Sequence, residues 1–372
     1  MISTWEQRKF SEFTWNAGKR NKEDLDLEPY AITNEHGFIK QSEAHDDFGY
    51  MKDTDRKAYN IVMPNSFAYN PARINVGSIG YYEGTENVIV SSLYEVFQTA
   101  DYVDDRFLWH WFKSDEFPKW IERLQEGSVR LYFYYDKLCE CQMLMPSVPE
   151  QKKIAEALDN LDNLITLHQR KLEHVKKMKK SMLQKMFPKK NQLYPEVRFP
   201  GFTDAWEQRK LGEVCQEFKS GTSLKADQID TAGDYPVYGG NGLRGYTSDY
   251  NHDGEFALIG RQGALCGNMN YSVGKAYFTE HAVVVDADIN NDIKFLYYML
   301  DTMNLGQYSD QSAQPGLAVN KLVKLENLFP TKEEQRRIGR YFSNIDHLIT
   351  LHQRELDHLQ LLKKGMLQQM FI

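Results

Sequence analysis

The sequence predicts a mixed α+β fold, with two globular α/β bodies separated by two long helices. We expect the helices to form an intramolecular antiparallel coiled coil with pseudo-two-fold symmetry. The segment 150–187 aligns without a gap with 334–371, giving 21 identities in 38 positions. Upstream, WEQRK occurs at 5–9 and again at 206–210. Each half therefore has a shared lead, a divergent body and a shared tail, which indicates an internal duplication.

Each tail begins with a pattern typical of a helix start. Ser147 with Glu150, and Thr331 with Glu334, fit the S/T-x-x-E capping box, in which side chains satisfy unpaired backbone amides. Apolar residues then recur at alternating spacings of four and three, the 3.5-residue repeat of a left-handed coiled coil. The seam residues are Ile154, Leu158, Leu161, Ile165, His168, Leu172, Val175, Lys179, Met182 and Met186, and then Ile338, Phe342, Ile345, Ile349, His352, Leu356, Leu359, Lys363, Met366 and Met370.

Two polar residues interrupt each seam at equivalent positions: His168 and Lys179 in the first copy, His352 and Lys363 in the second. One interpretation is that they fix the register of the coiled coil, as isolated polar core residues can. The alternative is that they extend to solvent at the edge of the seam. The alternatives stay open for the histidines, and we favour extension to solvent for the lysines.

The bodies share a weaker similarity in the order of their landmarks. FAYNPARINVG (67–77) corresponds to FALIGRQGALC (256–266), and FLWHWF (107–112) corresponds to FLYYML (295–300). VIVSSLYEVF (88–97) likewise corresponds to YFTEHAVVVD (277–286), and all three matches lie at offsets of 188 or 189. We therefore expect the two bodies to be related by the same duplication.

Composition restricts the class of protein. Hydrophobic residues make up 41% of the chain, which is typical of globular proteins, and the beginning of the sequence has no apolar signal segment. Four cysteines without a disulfide or CxxC pattern favour reduced thiols and a cytoplasmic location. The formal charge of −7 is unlike the basic footprint of most DNA-binding proteins.

No motif makes a positive case for catalysis or for a metal site. GNGLRG (240–245) matches G-x-G-x-x-G, but the turn-rich segment after it does not favour the helix that a dinucleotide site requires, so we expect a flexible loop. The aromatic run LYFYYD (131–136) is more typical of strand packing than of a stacking surface. We accordingly predict no catalytic residues in this chain.

The divergent bodies contain side chains that suit recognition of base edges. Arginine can bind guanine, and asparagine or glutamine can bind adenine, through paired hydrogen bonds. Each candidate considered alone could also be an ordinary turn residue. The candidates are Asn70, Arg73, Ser78 and Arg130 in the first body, and Asn241, Arg244, Arg261, Gln262 and Gln314 in the second.

Together these features resemble the specificity (S) subunit of type I restriction-modification systems. The resemblance rests on the duplicated tail EEQRRIGRYFSNIDHLITLHQRELDHLQLLKKGMLQQMF and on RFPGFTDAWEQRKLGEV. It also rests on the order of PVYGGNGLRGY, LIGRQGALCGN, FTEHAVVV and QPGLAVNKL. The resemblance implies that the bodies are target recognition domains. The expected divisions are a lead at 1–10, the first recognition domain at 11–148, a spacer helix and linker at 149–190, a linker and second recognition domain at 191–331, and a spacer helix at 332–372.

The resemblance also implies a function and partners. Each recognition domain would read one half of a bipartite double-stranded DNA target. Two modification subunits would use S-adenosylmethionine for adenine-N6 methylation, and two restriction subunits would use ATP and magnesium for translocation and cleavage. This chain would bind no cofactor itself. Two alternatives remain: a fused methyltransferase or nuclease with its own activity, and a protein–protein scaffold that does not contact DNA.

The uneven charge of the chain adds an expectation about DNA affinity. Residues 150–190 carry a net charge of +6 and residues 334–372 carry +2, so the rest of the chain is strongly acidic. Because phosphate neutralisation supplies much of DNA affinity, an acidic surface opposes binding. We therefore expect the chain alone to bind DNA poorly.

Overall fold

A computed structural model describes residues 5–34, 37–44, 56–127, 131–309 and 316–371. The candidates Arg130 and Gln314 lie outside the described residues.

The chain divides into two compact units, each with a body and a part of both long helices. Unit 1 consists of Met1–Leu167 with Glu355–Ile372, and unit 2 consists of His168–Arg354. The division falls within both helices, so each unit pairs a segment of one helix with a segment of the other.

The elements of unit 1 before its first long helix alternate between strands and short helices. The strands are β1 (Glu6–Lys9), β2 (Thr14–Asn16), β3 (Lys19–Arg20), β4 (Pro29–Thr33), β5 (Gly37–Lys40), β6 (Asn60–Val62), β7 (Ser66–Tyr69), β8 (Ile79–Tyr82), β9 (Val88–Val90), β10 (Glu95–Thr99) and β11 (Gln142–Met145). The helices are α1 (Phe10–Phe13), α2 (Gln41–Ala44), α3 (Asp105–Phe112), α4 (Glu116–Leu124) and α5 (Tyr135–Glu140), followed by the long helix α6 (Val148–Met186).

The elements after α6 form the body of unit 2 and the second long helix. The strands are β12 (Glu207–Lys210), β13 (Cys215–Ser220), β14 (Tyr235–Gly239), β15 (Gly242–Thr247), β16 (His252–Gly260), β17 (Met269–Phe278), β18 (Ala282–Ala287) and β19 (Glu326–Phe329). The helices are α7 (Ile293–Thr302), α8 (Val319–Leu322) and the long helix α9 (Lys332–Met370).

The bodies share a core of four strands in the same order, as the order of their sequence landmarks predicts, and their remaining strands are arranged differently. In unit 1, described strands form sheets of order β2-β10-β7-β8 and β3-β6-β9-β4-β5, and β1 pairs with β11. In unit 2 they form one sheet of order β13-β18-β16-β17-β14-β15, and β12 pairs with β19. The lead strands keep the same register, since Glu6 faces Met145 in unit 1 and Glu207 faces Phe329 in unit 2.

Both long helices are present where the repeat predicts them, and the seams face inward. In unit 1, Ile154 and Leu158 of α6 belong to the buried core against which Met366 and Met370 of α9 pack. In unit 2, Val175 and Met182 of α6 pack on a core that includes Ile338, Phe342 and Ile345 of α9. In unit 2 the paired segments run in opposite directions, because Lys179 of α6 faces Asp346 of α9 while His168, earlier in α6, faces His352, later in α9.

One body helix in each unit packs against the long helices through aromatic residues. The side chain of Asp104 accepts a hydrogen bond from the amide of Phe107 at the start of α3, and Asp292 does the same for Phe295 at the start of α7. In unit 1 the Phe107 ring lies 6.3 Å from Trp5 and 5.2 Å from Phe371.

The same aromatic arrangement occurs in unit 2. Phe295 lies 5.8 Å from Trp206 and 5.6 Å from Phe187. Trp5 and Phe371, near the two ends of the chain, thus occupy the positions that Trp206 and Phe187 occupy in unit 2.

The helix starts differ from prediction in how their side chains are used. Both oxygens of Glu334 accept hydrogen bonds from the guanidinium of Arg198, each at 2.7 Å, and Glu150 accepts from the indole of Trp5. These glutamates therefore make tertiary contacts in place of the predicted reciprocal capping box. Glu334 is fully buried, so Arg198 supplies the charge that its carboxylate requires.

The next residue of each repeat, a buried glutamine, joins the long helix to the body. Gln151 accepts a hydrogen bond from the amide of Asp104 and donates to the carbonyl of Pro146. Gln335 makes the equivalent bonds with Asp292 and Pro330. Because buried polar groups require partners, these bonds fix how each body meets its helix.

We expect Phe371→Ala to destabilise unit 1 by about 3 kcal/mol, because it removes a buried ring from the core. Urea unfolding measures the change. Leu361→Ala is the control, since Leu361 is 70% exposed on the same helix and should change stability by less than about 0.5 kcal/mol. Equal effects of the two substitutions would contradict the packing described here.

Candidate nucleic-acid interface

The turn after β16 holds Arg261 and Gln262 at the edge of the body of unit 2. The amide of Arg261 donates to the carbonyl of His281, and the carbonyl of Arg261 accepts from the amide of Leu317. Gln262 also forms an isolated bridge with Gly316. The backbone of this turn is therefore fixed on both sides, while the side chain of Gln262 is exposed.

Side-chain contacts extend this cluster to residues that the sequence analysis did not select. A guanidinium nitrogen of Arg261 lies 3.3 Å from the carbonyl oxygen of Glu280, and Nδ1 of His281 lies 3.2 Å from Oε1 of Gln262. Ser223 donates to Glu280. Glu280 and His281 lie within the motif FTEHAVVV. Their position beside Gln262 depends on contacts between distant segments, so the motif alone could not predict it.

The β14–β15 hairpin brings Asn241 and Arg244 to the same edge. A Cβ atom on Gly240 would lie 3.0 Å from the carbonyl oxygen of His281 and 3.3 Å from that of Gln262. The missing side chain of Gly240 therefore allows the hairpin to pack against the Arg261 turn. Asn241 and Arg244 are exposed on the hairpin. The structure thus brings together four of the five candidates in the second body.

GNGLRG forms this hairpin and not the flexible loop that we expected. The strand β15 begins at Gly242, directly after the turn, and Gly242 has a φ of +89°. A dinucleotide fingerprint requires a helix at this position, so the strand leaves the motif without the necessary context.

The equivalent turn in unit 1 follows β7 and carries Asn70 and Arg73. The side-chain oxygen of Asn70 accepts from the amide of Ala72, and the amide of Arg73 donates to the carbonyl of Asn70. Ser78 is different: it is buried, and its hydroxyl donates to the carbonyl of Ile32 at 2.9 Å. Ser78 is therefore unavailable to a ligand in this conformation, and its prediction as a DNA contact is wrong.

A cavity of about 720 Å³ lies beside the Asn70–Arg73 turn. Its lining includes Tyr132 and Tyr134, whose rings are parallel within 2° at a centroid distance of 5.5 Å. The aromatic run LYFYYD (131–136) is predicted from its composition to be used in strand packing. In the structure only Phe133 is fully buried, and Tyr134 is 49% exposed.

The polar residues of the helix seams contact each other or a carboxylate. In unit 2 the His168 and His352 rings lie 5.5 Å apart, and Lys179 lies 2.5 Å from Asp346. In unit 1 Lys363 lies 2.5 Å from Asp162. The two lysine side chains are 19% and 20% exposed, so they end at carboxylates of the facing helix and not in open solvent. A role in fixing register remains a proposal for all four seam residues.

A partly buried ionic cluster connects the body helix α3 to α6 in unit 1. Asp159 lies 2.7 Å from Nε2 of His110 and accepts a hydrogen bond from Nε of Arg106 at 3.1 Å. Burial acts to raise the pKa of Asp159, but the hydrogen bonds from Arg106 and His110 outweigh it and hold the pKa below its usual value. Burial lowers the pKa of His110 despite this contact. These residues are used in packing and do not line the candidate interface.

In the described ranges no group of three or more His, Cys, Asp or Glu side chains could hold a metal ion. None of the helices described for this chain is long and apolar enough to cross a membrane.

The family model of the type I restriction modification DNA specificity domain matches residues 3–177 and 203–361. The chain belongs to this family.

Sequence relatives agree with this assignment. The chain is 44% identical over 146 residues to the type I restriction enzyme EcoprrI specificity subunit of Escherichia coli, a match that spans 38% of this chain and only 36% of that relative. It is 22% identical over 321 residues to the type I restriction enzyme MjaVIII specificity subunit of Methanocaldococcus jannaschii, covering 78% and 74% of the two chains.

Solved structures show the same fold. The type I restriction-modification S subunit from M. genitalium superposes with a TM-score of 0.70 at 17% identity, covering 100% of this chain and 97% of that chain. A chain from a study of complex assembly in the type I restriction-modification system has a TM-score of 0.52 at 15% identity, covering 98% and 97%.

We expect charge reversal to reveal the coupling between Lys179 and Asp346. Lys179→Glu or Asp346→Lys alone should destabilise unit 2 by about 1 kcal/mol, because each places like charges in contact, and the double reversal should restore most of the loss. Urea unfolding of the four proteins measures the coupling energy. The exposed pair Arg337–Glu333 is the control and should show little coupling. Additive effects at Lys179 and Asp346 would contradict the contact.

Proposed function

We propose that this chain is the DNA sequence-recognition subunit of a type I restriction-modification complex, and that each body reads one half of a bipartite target. One observation carries the proposal: the two units share a fold and a body–helix junction, but their equivalent turns present different side chains. Asn70 and Arg73 occupy the turn in unit 1, and Arg261 and Gln262 occupy it in unit 2. A duplicated reader with unlike contacts fits a target with two unlike halves.

The proposal extends to the rest of the complex. We propose that the chain positions two adenine-N6 modification subunits and two restriction subunits, and that it is not itself a catalyst. S-adenosylmethionine, ATP and magnesium would then be used by those partners, and this chain would bind none of them. The family match supports this function over a fused enzyme or a scaffold that never contacts DNA.

The experiment that tests the function is methylome sequencing of the source cells. We expect one split, asymmetric adenine-methylated motif that disappears when the gene is deleted. In cells complemented with Gln262→Ala, one position in one half of the motif should lose discrimination by roughly 5- to 150-fold, as expected for one paired base contact. The other half should not change.

Gln216→Ala is the matched control, because Gln216 is an exposed amide in the same sheet whose side chain bonds Asp286. This variant should leave the motif intact. A methylome that is unchanged by deletion of the gene would overturn the proposed function.

The charge distribution predicts that partners are needed for tight binding. The purified chain should bind its target duplex weakly at physiological salt, and addition of the modification subunit should strengthen specific binding by orders of magnitude, because the chain carries a formal charge of −7. Titration of labelled duplex with and without the modification subunit measures the difference. Tight, sequence-specific binding by the chain alone would contradict this prediction.

A further inference from the structure

The cavity beside the Asn70–Arg73 turn of unit 1 has the size of a ligand site. Its volume of about 720 Å³ lies within the range of roughly 300–1,000 Å³ that small-molecule sites occupy. The cavity draws its lining from five parts of the body. They are the segment from the end of β2 through β3, the β6 strand, the turn after β7, the β10 region, and the segment that carries Tyr132 and Tyr134.

One wall of the cavity is aromatic, and a backbone hydrogen bond fixes its position. The amide of Phe133 donates to the carbonyl of Pro71 at 3.0 Å, and the Phe133 ring is fully buried in the core. This anchor turns the side chains on either side of it, Tyr132 and Tyr134, outward, where their rings lie parallel. Tyr134 is exposed and Tyr132 is half-buried, so these parallel rings beside the cavity offer a flat surface on which another planar ring can stack.

The remaining walls carry charges and amides. Arg20 and Arg73 supply two guanidinium groups, and Asn60 and Asn70 supply two side-chain amides. Asn60 donates to the carbonyl of Tyr94 at 2.8 Å, so its amide group is fixed while its oxygen can still accept. Arg20 is held by the carbonyls of Ala58 and Ser92.

A carboxylate completes the lining. Glu95 begins strand β10 and lines the cavity. Burial raises the pKa of Glu95, nearby Asp136 raises it further, and Arg20 opposes the shift. A partly desolvated acceptor of this kind gains from a ligand that donates a hydrogen bond to it.

We infer that this cavity holds one unstacked nucleobase together with its adjoining phosphate. The base would stack on Tyr132 and Tyr134, and its edge would face Asn60, Asn70 and Glu95. The phosphate would face Arg20 and Arg73, because guanidinium groups suit phosphate oxygens. The base can come from two sources. The first is a base extruded from the bound duplex, and for this source the inference rests on the proposed function. The second is a free mononucleotide.

The carboxylate supplies an acceptor for the base edge. Glu95 can accept a hydrogen bond from the exocyclic amine of cytosine, adenine or guanine, or from the ring N–H of thymine.

The first arm of the test measures duplex binding by the complex of this chain with its modification subunit. Each duplex of a series carries one mismatch, placed opposite a different base of the half-site. A mismatched base costs less to extrude, so a mismatch at one position of the half-site should tighten binding by about 10-fold.

Tyrosine variants then connect that effect to the cavity. Tyr132→Ala with Tyr134→Ala should abolish the mismatch effect and weaken binding roughly 5- to 150-fold, the range measured for loss of base stacking. Tyr132→Phe with Tyr134→Phe keeps the aromatic rings and should retain both the mismatch effect and the duplex affinity. Tyr194→Ala is the control, because Tyr194 is 52% exposed and lies in the linker before the second body.

The second arm titrates the same complex, without DNA, with each of the four deoxynucleoside 5′-monophosphates by calorimetry. Binding of any of these nucleotides that the double alanine variant loses, without any position-specific mismatch effect, identifies a free nucleotide as the ligand. A mismatch effect identifies the duplex as the source. If neither arm responds, or if the double alanine variant matches the wild type in both, the inference is overturned.

The two arms separate this inference from the proposed function. Sequence-specific duplex binding that persists while both arms fail overturns only the cavity assignment. Absence of specific binding to any duplex overturns the proposed function, and the mononucleotide arm then still decides whether the cavity binds a nucleotide.

Discussion

The structure depends on the packing of one body helix in each unit against a pair of antiparallel helix segments. Phe107 of α3 and Phe295 of α7 are the central residues of these contacts, and each lies between a tryptophan of the lead and a phenylalanine at the end of a long helix. Gln151 and Gln335 fix the same junctions by hydrogen bonds to the first turn of the body helix. A body held this way can vary at its far loops without disturbing its attachment.

This separation of attachment from recognition explains why the sequence repeats where it does. Residues of the junction face buried partners, so a substitution leaves a cavity or an unsatisfied polar group. Gly339 shows how tight the contact is, because a Cβ atom there would lie 2.7 Å from the carboxylate of Asp292. The turns that carry Arg73 and Gln262 have no such restraint on their side chains. Duplication followed by divergence would therefore preserve the junction and change the turns.

The sequence could predict the parts of the fold that depend on local periodicity. The seam residues, the long helices and the order of the body landmarks all follow from spacing within one segment and are present in the structure. Contacts between distant segments could not be predicted in the same way. Glu334 fits a capping box by spacing, but Arg198, which is 136 residues away, binds its carboxylate. Ser78 has the chemistry of a base contact but is buried against Ile32, and Tyr132 becomes a stacking surface only because Phe133 is anchored at Pro71.

The central claim is that each body reads its own half of a divided DNA target while the repeated junction only holds it in place. Replacement of residues 212–331 by the corresponding body of another family member tests this most directly, with methylated motifs determined by sequencing. The account predicts a motif in which one half changes and the other half is retained. A motif that changes in both halves, or in neither, would contradict it.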